Sequence, residues 1–302
     1  MNAVDEHVAT RRSAGLFDFS FMGLYEFSGE PSLQALQSRN LAGLVPGQIV
    51  YTLLLNDDGS VFNDATVWNL GEDRWWLFTG RPSDFGWIRA RADVRDRCGE
   101  HAILALQGPR SGGILARLVG EETVRNLQYF RFVQANEMVV ARLGYSGELG
   151  YELLVPAGEE RKLRGALLDA GRNEQLVECS FEAANTLRIE CGYVLFDREI
   201  DGRANPLELG LERLVSPPRR FRQSRRLAGL EISGAAPREG AAAAQVTSEC
   251  LSPTLGSRIA LGFVAANAGA GDLVRLADGR AARIASLPFF DRERKRPRGA
   301  PL

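Results

Sequence analysis

A glycine-rich stretch at 144–155 reads Gly-Tyr-Ser-Gly-Glu-Leu-Gly-Tyr-Glu-Leu-Leu-Val and constrains the fold more than any other part of the chain. Apolar residues precede it at 138–141, and apolar residues dominate its end at 151–155. Two apolar runs separated by glycines predict antiparallel strands joined by a tight connection. Glycines there supply backbone angles that a side chain would forbid, and they let a flat ligand approach the backbone.

Glu152 lies inside the second of these strands. Alternation along the strand places Tyr151, Leu153 and Val155 on one face, and Glu152 with Leu154 on the other. A carboxylate among apolar neighbours needs a partner, because burying an unpaired charge costs free energy. Two interpretations follow: the glutamate reaches an arginine of the protein, or it holds a bound ligand.

The composition excludes several classes of protein. The chain has 302 residues, 45% of them hydrophobic and 25% charged, which is enough for two or three domains with a sizeable core. A net charge of -1 attracts neither nucleic acid nor an anionic membrane, and no apolar run reaches the roughly 20 residues of a membrane span. The 4 scattered cysteines and 2 histidines predict no disulfide framework and no metal site. With a polar N-terminus unlike a signal peptide, these features favour a cytoplasmic location.

Helical and strand patterns mix along residues 1–215, which predicts an α+β fold and a first region with these bounds. Strands are predicted at 16–22, 51–55, 61–70, 75–79, 103–106, 138–141 and 151–155. Helices are predicted at 5–13, 32–40, 84–97, 112–119, 121–127, 159–170 and 181–191.

The composition changes after residue 215. Residues 216–226 carry two prolines and five arginines and are predicted to form a basic linker. Short strand-like runs then predict a small β domain at 227–290, interrupted by a loose Ala- and Gly-rich loop at 234–244. Residues 291–302 are charged and contain proline, so the composition predicts a disordered tail.

Asp64 is the first candidate catalytic residue. It follows Asn63 inside the apolar strand predicted at 61–70, and alternation sends these two polar side chains to opposite faces. One of them therefore points inward. A buried carboxyl group has a raised pKa unless it is paired, and such an acid exchanges protons with a substrate amine. The pattern also allows an acid in a turn or bulge that bonds the backbone.

Several segments resemble the aminomethyltransferase family, which includes the T-protein of the glycine cleavage system and its folate-dependent relatives. The stretch 144–152 is similar to the family's Gly-Tyr-Thr-Gly-Glu-x-Gly-Tyr-Glu signature. Residues 106–109 match its Leu-Gln-Gly-Pro turn, and residues 252–256 match the Ser-Pro-Thr-Leu-Gly of its C-terminal barrel. Residues 187–192 and 205–208 resemble its Leu-Arg-Leu-Glu-Ala-Gly and Thr-Pro-Leu-Glu segments.

The resemblance implies two mixed antiparallel-sheet and helix units around a central folate cavity, followed by a small C-terminal β-barrel. It implies a tetrahydrofolate-dependent enzyme that transfers an aminomethyl or methyl group from a small-molecule donor. Asp64 falls on the family's catalytic aspartate, near the folate amine, and Tyr51, Tyr145 and Glu152 fall on its folate-contacting positions. The alternative is a folate-binding protein without turnover, of the iron–sulfur maintenance or regulatory type.

The chain also departs from the family pattern. Ala184 stands near the position where the T-protein has an arginine that helps hold folate, and the end of the chain is basic. These differences put a partnership with a lipoyl carrier protein in doubt. The Asn63-Asp64 pair and the Trp75-Trp76 dipeptide are closer to the folate-dependent demethylase branch.

Overall fold

The structure, a computed structural model, describes residues 1–233 and 240–302. Most of the loop predicted at 234–244 therefore lies outside the described residues. The described strands are β1 (Gly15–Asp18), β2 (Gly23–Ser28), β3 (Ile49–Leu55), β4 (Val61–Gly71), β5 (Arg74–Thr79), β6 (Arg95–Asp96), β7 (His101–Gln107), β8 (Phe132–Ala135), β9 (Met138–Ala141), β10 (Gly150–Pro156), β11 (Val177–Cys179), β12 (Arg225–Ser233), β13 (Gln245–Ser252), β14 (Ser257–Ala265), β15 (Leu273–Arg275) and β16 (Ala281–Ala285).

The helices connect and cover these strands, which confirms the α+β prediction. They are α1 (Ala3–Arg12), α2 (Glu30–Leu36), α3 (Phe85–Arg89), α4 (Ser111–Val119), α5 (Glu121–Asn126), α6 (Glu160–Ala170) and α7 (Phe181–Glu190). Short 3₁₀ turns lie at Pro82–Asp84, Ala157–Glu159, Arg172–Glu174, Glu212–Leu214 and Arg296–Arg298.

The first sheet has six strands in the order β11-β1-β7-β10-β9-β8. The predicted hairpin is part of it: β9 and β10 pair antiparallel with Glu152 opposite Ala141, although their connection is longer than a tight turn and spans 142–149. The alternation read from the sequence is confirmed. Tyr151 and Leu153 pack in the core under α4 and α6, whereas Leu154 packs in the core facing the second sheet.

The second sheet has five strands in the order β3-β4-β5-β2-β6. The hairpin of β3 and β4 places Leu53 opposite Asp64. Trp68 and Phe78 of this sheet share a core with Ile103 and Leu154 of the first sheet, so the two sheets face each other across a common apolar layer. That layer surrounds the cavity described below.

The predicted helix at 84–97 is wrong beyond its first turns. The structure gives α3 over Phe85–Arg89 and then the short strand β6, whose Arg95 and Asp96 pair with β2. Tertiary packing overrides the helical preference of these residues, because β2 can accept a partner strand at that edge of the sheet. The strand β2 was not predicted from the sequence, although it pairs with β5 along its whole length.

The third sheet has five strands in the order β13-β14-β12-β16-β15. An isolated backbone bridge joins Ala243, just before the outer strand β13, to Arg275 of the other outer strand β15, which agrees with a small barrel. β12 begins at Arg225, inside the range predicted as a linker, because Arg225 and Arg226 pair with β14. The exact domain boundaries stay a prediction.

Residues 291–302 differ from the disordered tail that their composition predicts. Pro297 is buried, and Arg296 donates to the carboxylate of Glu148 at 2.6 Å. Charge and proline content could not anticipate this contact, because the partner lies far away in the sequence.

Candidate active site

A cavity of about 170 Å³ lies between the first two sheets. Tyr51, Asp64, Tyr145 and Glu152, the four residues predicted for the site, all line it. Asp64 comes from β4 of the second sheet and Glu152 from β10 of the first, so both sheets contribute a carboxylate to the same space. The fold thus brings together all four side chains, whose individual roles stay predictions.

Asp64 owes its position to the alternation of β4. Asn63 is fully buried on the opposite face, where its Nδ2 donates to Asp84 Oδ2 at 2.6 Å. Asp64 Oδ2 accepts a hydrogen bond of 2.8 Å from the hydroxyl of Tyr51. Tyr51 can reach it because it pairs with Thr66, two residues further along β4 on the same face. Asp64 therefore lies within a strand rather than in a turn, and its side chain bonds the hydroxyl of Tyr51.

Burial raises the pKa of Asp64 to about 6, although the hydrogen bond from Tyr51 acts in the opposite direction. Burial removes water that would stabilise the ionised form, whereas the phenol stabilises that form by donating to it. A carboxyl group with this pKa exchanges protons readily near neutral pH. The site therefore contains an acid suited to general acid–base chemistry.

Glu152 is 7% exposed, and burial raises its pKa to about 7. Its strand neighbours across the sheet are Ala105 and Ala141, which offer no polar side chain. Within the described residues, its carboxylate has neither a salt bridge nor a side-chain hydrogen bond, so no described arginine supports the interpretation that it reaches one. A buried carboxylate that lines a cavity and has no partner among the described side chains is suited to binding a ligand with N–H donors.

Tyr145 enters the cavity from the 142–149 connection, next to Gly144. Its hydroxyl donates to the carbonyl of Val194 at 2.5 Å, and its ring stacks on that of Tyr193 with centroids 5.9 Å apart. Burial raises the pKa of Tyr145, so the hydroxyl stays protonated. Tyr145 therefore presents its ring, rather than a free hydroxyl, to a ligand.

The lining of the cavity is more aromatic than the predicted site residues indicated. Six phenylalanines contribute to the lining: Phe19, Phe21, Phe78, Phe130, Phe181 and Phe196. Phe196 lies so close to Gly80 that any side chain at position 80 would collide with its ring. A glycine directly after the strand predicted at 75–79 was the available signal for this close approach. By contrast, Ala184 is buried in the core between the sheets and does not line the cavity.

Two family models match the chain. The model described as the GCVT N-terminal domain covers residues 1–218, and the glycine cleavage T-protein C-terminal barrel domain covers residues 225–291. The chain belongs to the glycine cleavage T-protein family. This confirms the resemblance read from the sequence, and it agrees with the two facing sheets followed by a small barrel.

Relatives in the family support this assignment over most of the chain. An aminomethyltransferase of Symbiobacterium thermophilum is 34% identical over 96% of this chain and 89% of its own length. An aminomethyltransferase of Halothermothrix orenii is 33% identical, covering 86% and 83%. A crystal structure of the glycine cleavage system aminomethyltransferase T from Bartonella henselae superposes with a TM-score of 0.82 at 26% identity, covering 96% and 90%. The chain is thus an enzyme of the aminomethyltransferase family.

These comparisons bear on the expected partners. They do not support the doubt about a lipoyl carrier protein, because the similar proteins are aminomethyltransferases that align over most of the chain. No helix among the described residues is long and apolar enough to cross a membrane. Over residues 1–233 and 240–302, no group of three or more His, Cys, Asp or Glu side chains is arranged to hold a metal ion.

Proposed function

We propose that the cavity binds tetrahydrofolate and that the enzyme transfers a one-carbon unit to it, with Asp64 as the catalytic acid–base. One observation carries the proposal: Asp64 and Glu152, on different sheets, line one cavity, and burial raises the pKa of each. Each carboxyl group is thereby poised to respond to a ligand in the cavity.

The residues present fit a reduced folate. The edge of a pterin ring offers adjacent N–H donors that one carboxylate can accept together, and Glu152 has no side-chain partner among the described residues. The rings of Tyr51 and Tyr145, with the phenylalanines of the lining, suit a flat heterocycle. Tetrahydrofolate would supply the amine that accepts the one-carbon unit.

Asp64 would hold and move the proton of the reaction. Tyr51 donates to Oδ2 and so fixes the orientation of the carboxyl group, whereas no described side chain donates to Oδ1. Oδ1 is the oxygen that would face the ligand. Because burial raises its pKa to about 6, the carboxyl group can take up and release a proton near neutral pH.

The donor we propose is an aminomethyl group presented by a lipoyl carrier protein. The support is that the Bartonella henselae protein is described as part of the glycine cleavage system and that similar chains are aminomethyltransferases. A small methylated donor, as in the demethylase branch, is the alternative donor class. Folate binding without turnover is the second candidate function, favoured by the buried Ala184 where the resemblance leads us to expect an arginine.

Two measurements test the proposal. Calorimetry should detect binding of tetrahydrofolate to the wild-type protein and to the Asp64→Asn variant. A transfer assay with an aminomethyl-loaded lipoyl carrier, and then with small methylated donors, should show a rate about 10²–10⁴ lower for Asp64→Asn. Asp57→Asn makes the same change at an exposed position in the turn before β4 and should retain the wild-type rate.

Each outcome has a separate meaning. Full turnover by Asp64→Asn would remove this residue from the mechanism. Binding without transfer from any donor would support the second candidate function. No binding of reduced folate by the wild-type protein would contradict both.

A further inference from the structure

The 291–302 segment lies against the 142–149 connection that carries Tyr145 into the cavity. Arg296 Nε donates to Oε2 of Glu148 at 2.6 Å, and Arg11 Nη1 donates to Oε1 at 2.9 Å. The Glu148 side chain is only 1% exposed. Its buried charge is therefore shared between an arginine of α1 and an arginine of the 291–302 segment.

The same segment also holds the beginning of the connection. Arg142 is buried, and its Nη2 donates to the carbonyl of Gly299 while its Nη1 donates to the carbonyl of Leu127. Further along, the backbone of Pro301 lies so close to Gly112 in α4 that any side chain at position 112 would collide with it. Arg142 and Glu148, at the two ends of the 142–149 connection, thus both form hydrogen bonds with residues 296–299.

Tyr145 lies between these two attachment points. The carbonyl of the next residue, Ser146, accepts a hydrogen bond of 2.7 Å from Arg11 Nη1. The guanidinium of Arg294 stands 5.4 Å from the centre of the Tyr193 ring, on which the ring of Tyr145 stacks. The segment therefore reaches the surroundings of Tyr145 by two routes: Arg296 bonds Glu148 and the carbonyl of Arg11, and Arg294 lies over the ring on which Tyr145 stacks.

We infer that the 291–302 segment positions Tyr145 for ligand binding, with Arg296 as a positioning residue that acts through Glu148. The inference rests on the proposed function, because Tyr145 affects activity only if the cavity holds the ligand. Removing one partner of a buried charge leaves that charge undercompensated, so the backbone that carries it loosens. With fewer contacts, residues 142–149 unfold locally more often, and Tyr145 is then out of its binding position for part of the time.

Hydrogen exchange tests the positioning without any ligand. In Arg296→Gln, the amides of 142–149 should exchange faster than in the wild type, because Glu148 loses one charged partner. Arg296→Lys keeps a positive charge in reach of Glu148 and should restore most of the protection. Arg292→Gln makes the same change in the same segment, at a residue with no side-chain hydrogen bond or ion pair to the described residues, and should exchange like the wild type.

Steady-state kinetics tests the consequence for the site. Arg296→Gln should raise KM for tetrahydrofolate about tenfold, a typical strength of coupling between two sites, with kcat close to the wild-type value. A purely stabilising role would lower the melting temperature and leave the KM of the folded enzyme unchanged. Gly112→Ala should also raise KM, because its methyl group displaces Pro301, whereas alanine by itself favours the helix.

The outcomes separate this inference from the proposed function. If KM for tetrahydrofolate stays at the wild-type value in both Arg296→Gln and Gly112→Ala, the positioning role is overturned, whatever the exchange rates in 142–149. If the wild-type protein binds no tetrahydrofolate, the proposed function fails, and the exchange rates alone decide whether the segment fastens the connection.

Discussion

Replacing Glu152 by glutamine should stabilise the protein without ligand at neutral and alkaline pH. Burial raises the pKa of Glu152 from its ordinary value of 4.5 to about 7. One unit of pKa corresponds to about 1.4 kcal/mol. The difference in pKa therefore makes the ionised side chain about 3 kcal/mol less favourable in the folded protein than in the unfolded chain. Glutamine resembles the protonated acid in shape and carries no charge, so the variant avoids that cost.

The pH dependence follows from the same difference. Between pH 4.5 and about 7 the side chain of Glu152 is mostly protonated in the folded state and mostly ionised in the unfolded chain. The free energy of unfolding contributed by this group therefore falls as the pH rises through that window, and it is constant below and above it. Wild type and Glu152→Gln should be equally stable near pH 4.5 and should differ by about 3 kcal/mol at pH 8.

Urea unfolding at several pH values measures this effect. Trp68 and Trp76 pack in the same core as Leu154, so tryptophan fluorescence reports on this region. Glu137→Gln is the matched control, because it makes the same chemical change at an exposed position in the neighbouring hairpin. The free energy of unfolding of this control should follow that of the wild type at every pH.

Ligand binding should cancel most of the difference in stability between the two proteins at pH 8. Tetrahydrofolate at 100 times its dissociation constant adds about 2.7 kcal/mol to the stability of the protein that binds it. The wild type should gain this amount and Glu152→Gln should not. Equal pH dependence of unfolding in the wild type and Glu152→Gln would refute the reasoning, because it would mean that Glu152 is solvated or paired.

Three further predictions concern the cavity and its walls. Tyr51→Phe removes the hydrogen bond that stabilises ionised Asp64, so the midpoint of the pH–rate profile near 6 should move up by about one pH unit. Gly80→Ala should weaken folate binding measured by calorimetry, because the new methyl group collides with Phe196; unchanged affinity would show that this ring does not shape the site. Leu154→Ala should lower the free energy of unfolding in urea by about 2–5 kcal/mol, because Leu154 is buried between the two sheets; a loss below the lower bound would mean that the cavity collapses around the gap.

The sequence was a good guide to which residues face the cavity. Alternation along a strand depends on backbone geometry alone, so it assigned Glu152 to the face away from Tyr151 and separated Asn63 from Asp64 before any tertiary contact was known. The motif at 144–152 indicated the family, and the family in turn predicted the two sheets and the barrel. The same local reasoning failed at 84–97, where pairing of β6 with β2 outweighs the helical pattern.

By itself, the sequence determined the strand patterns, the faces of the two carboxylates and the family. Only the tertiary structure decided that no described arginine pairs with Glu152, that the hydroxyl of Tyr145 is bonded to Val194, and that Arg296 reaches Glu148. These facts depend on which distant segments meet. A side chain's partner and its exposure to water are set by the packing of the whole chain, whereas the direction in which it leaves a strand is set by its immediate backbone.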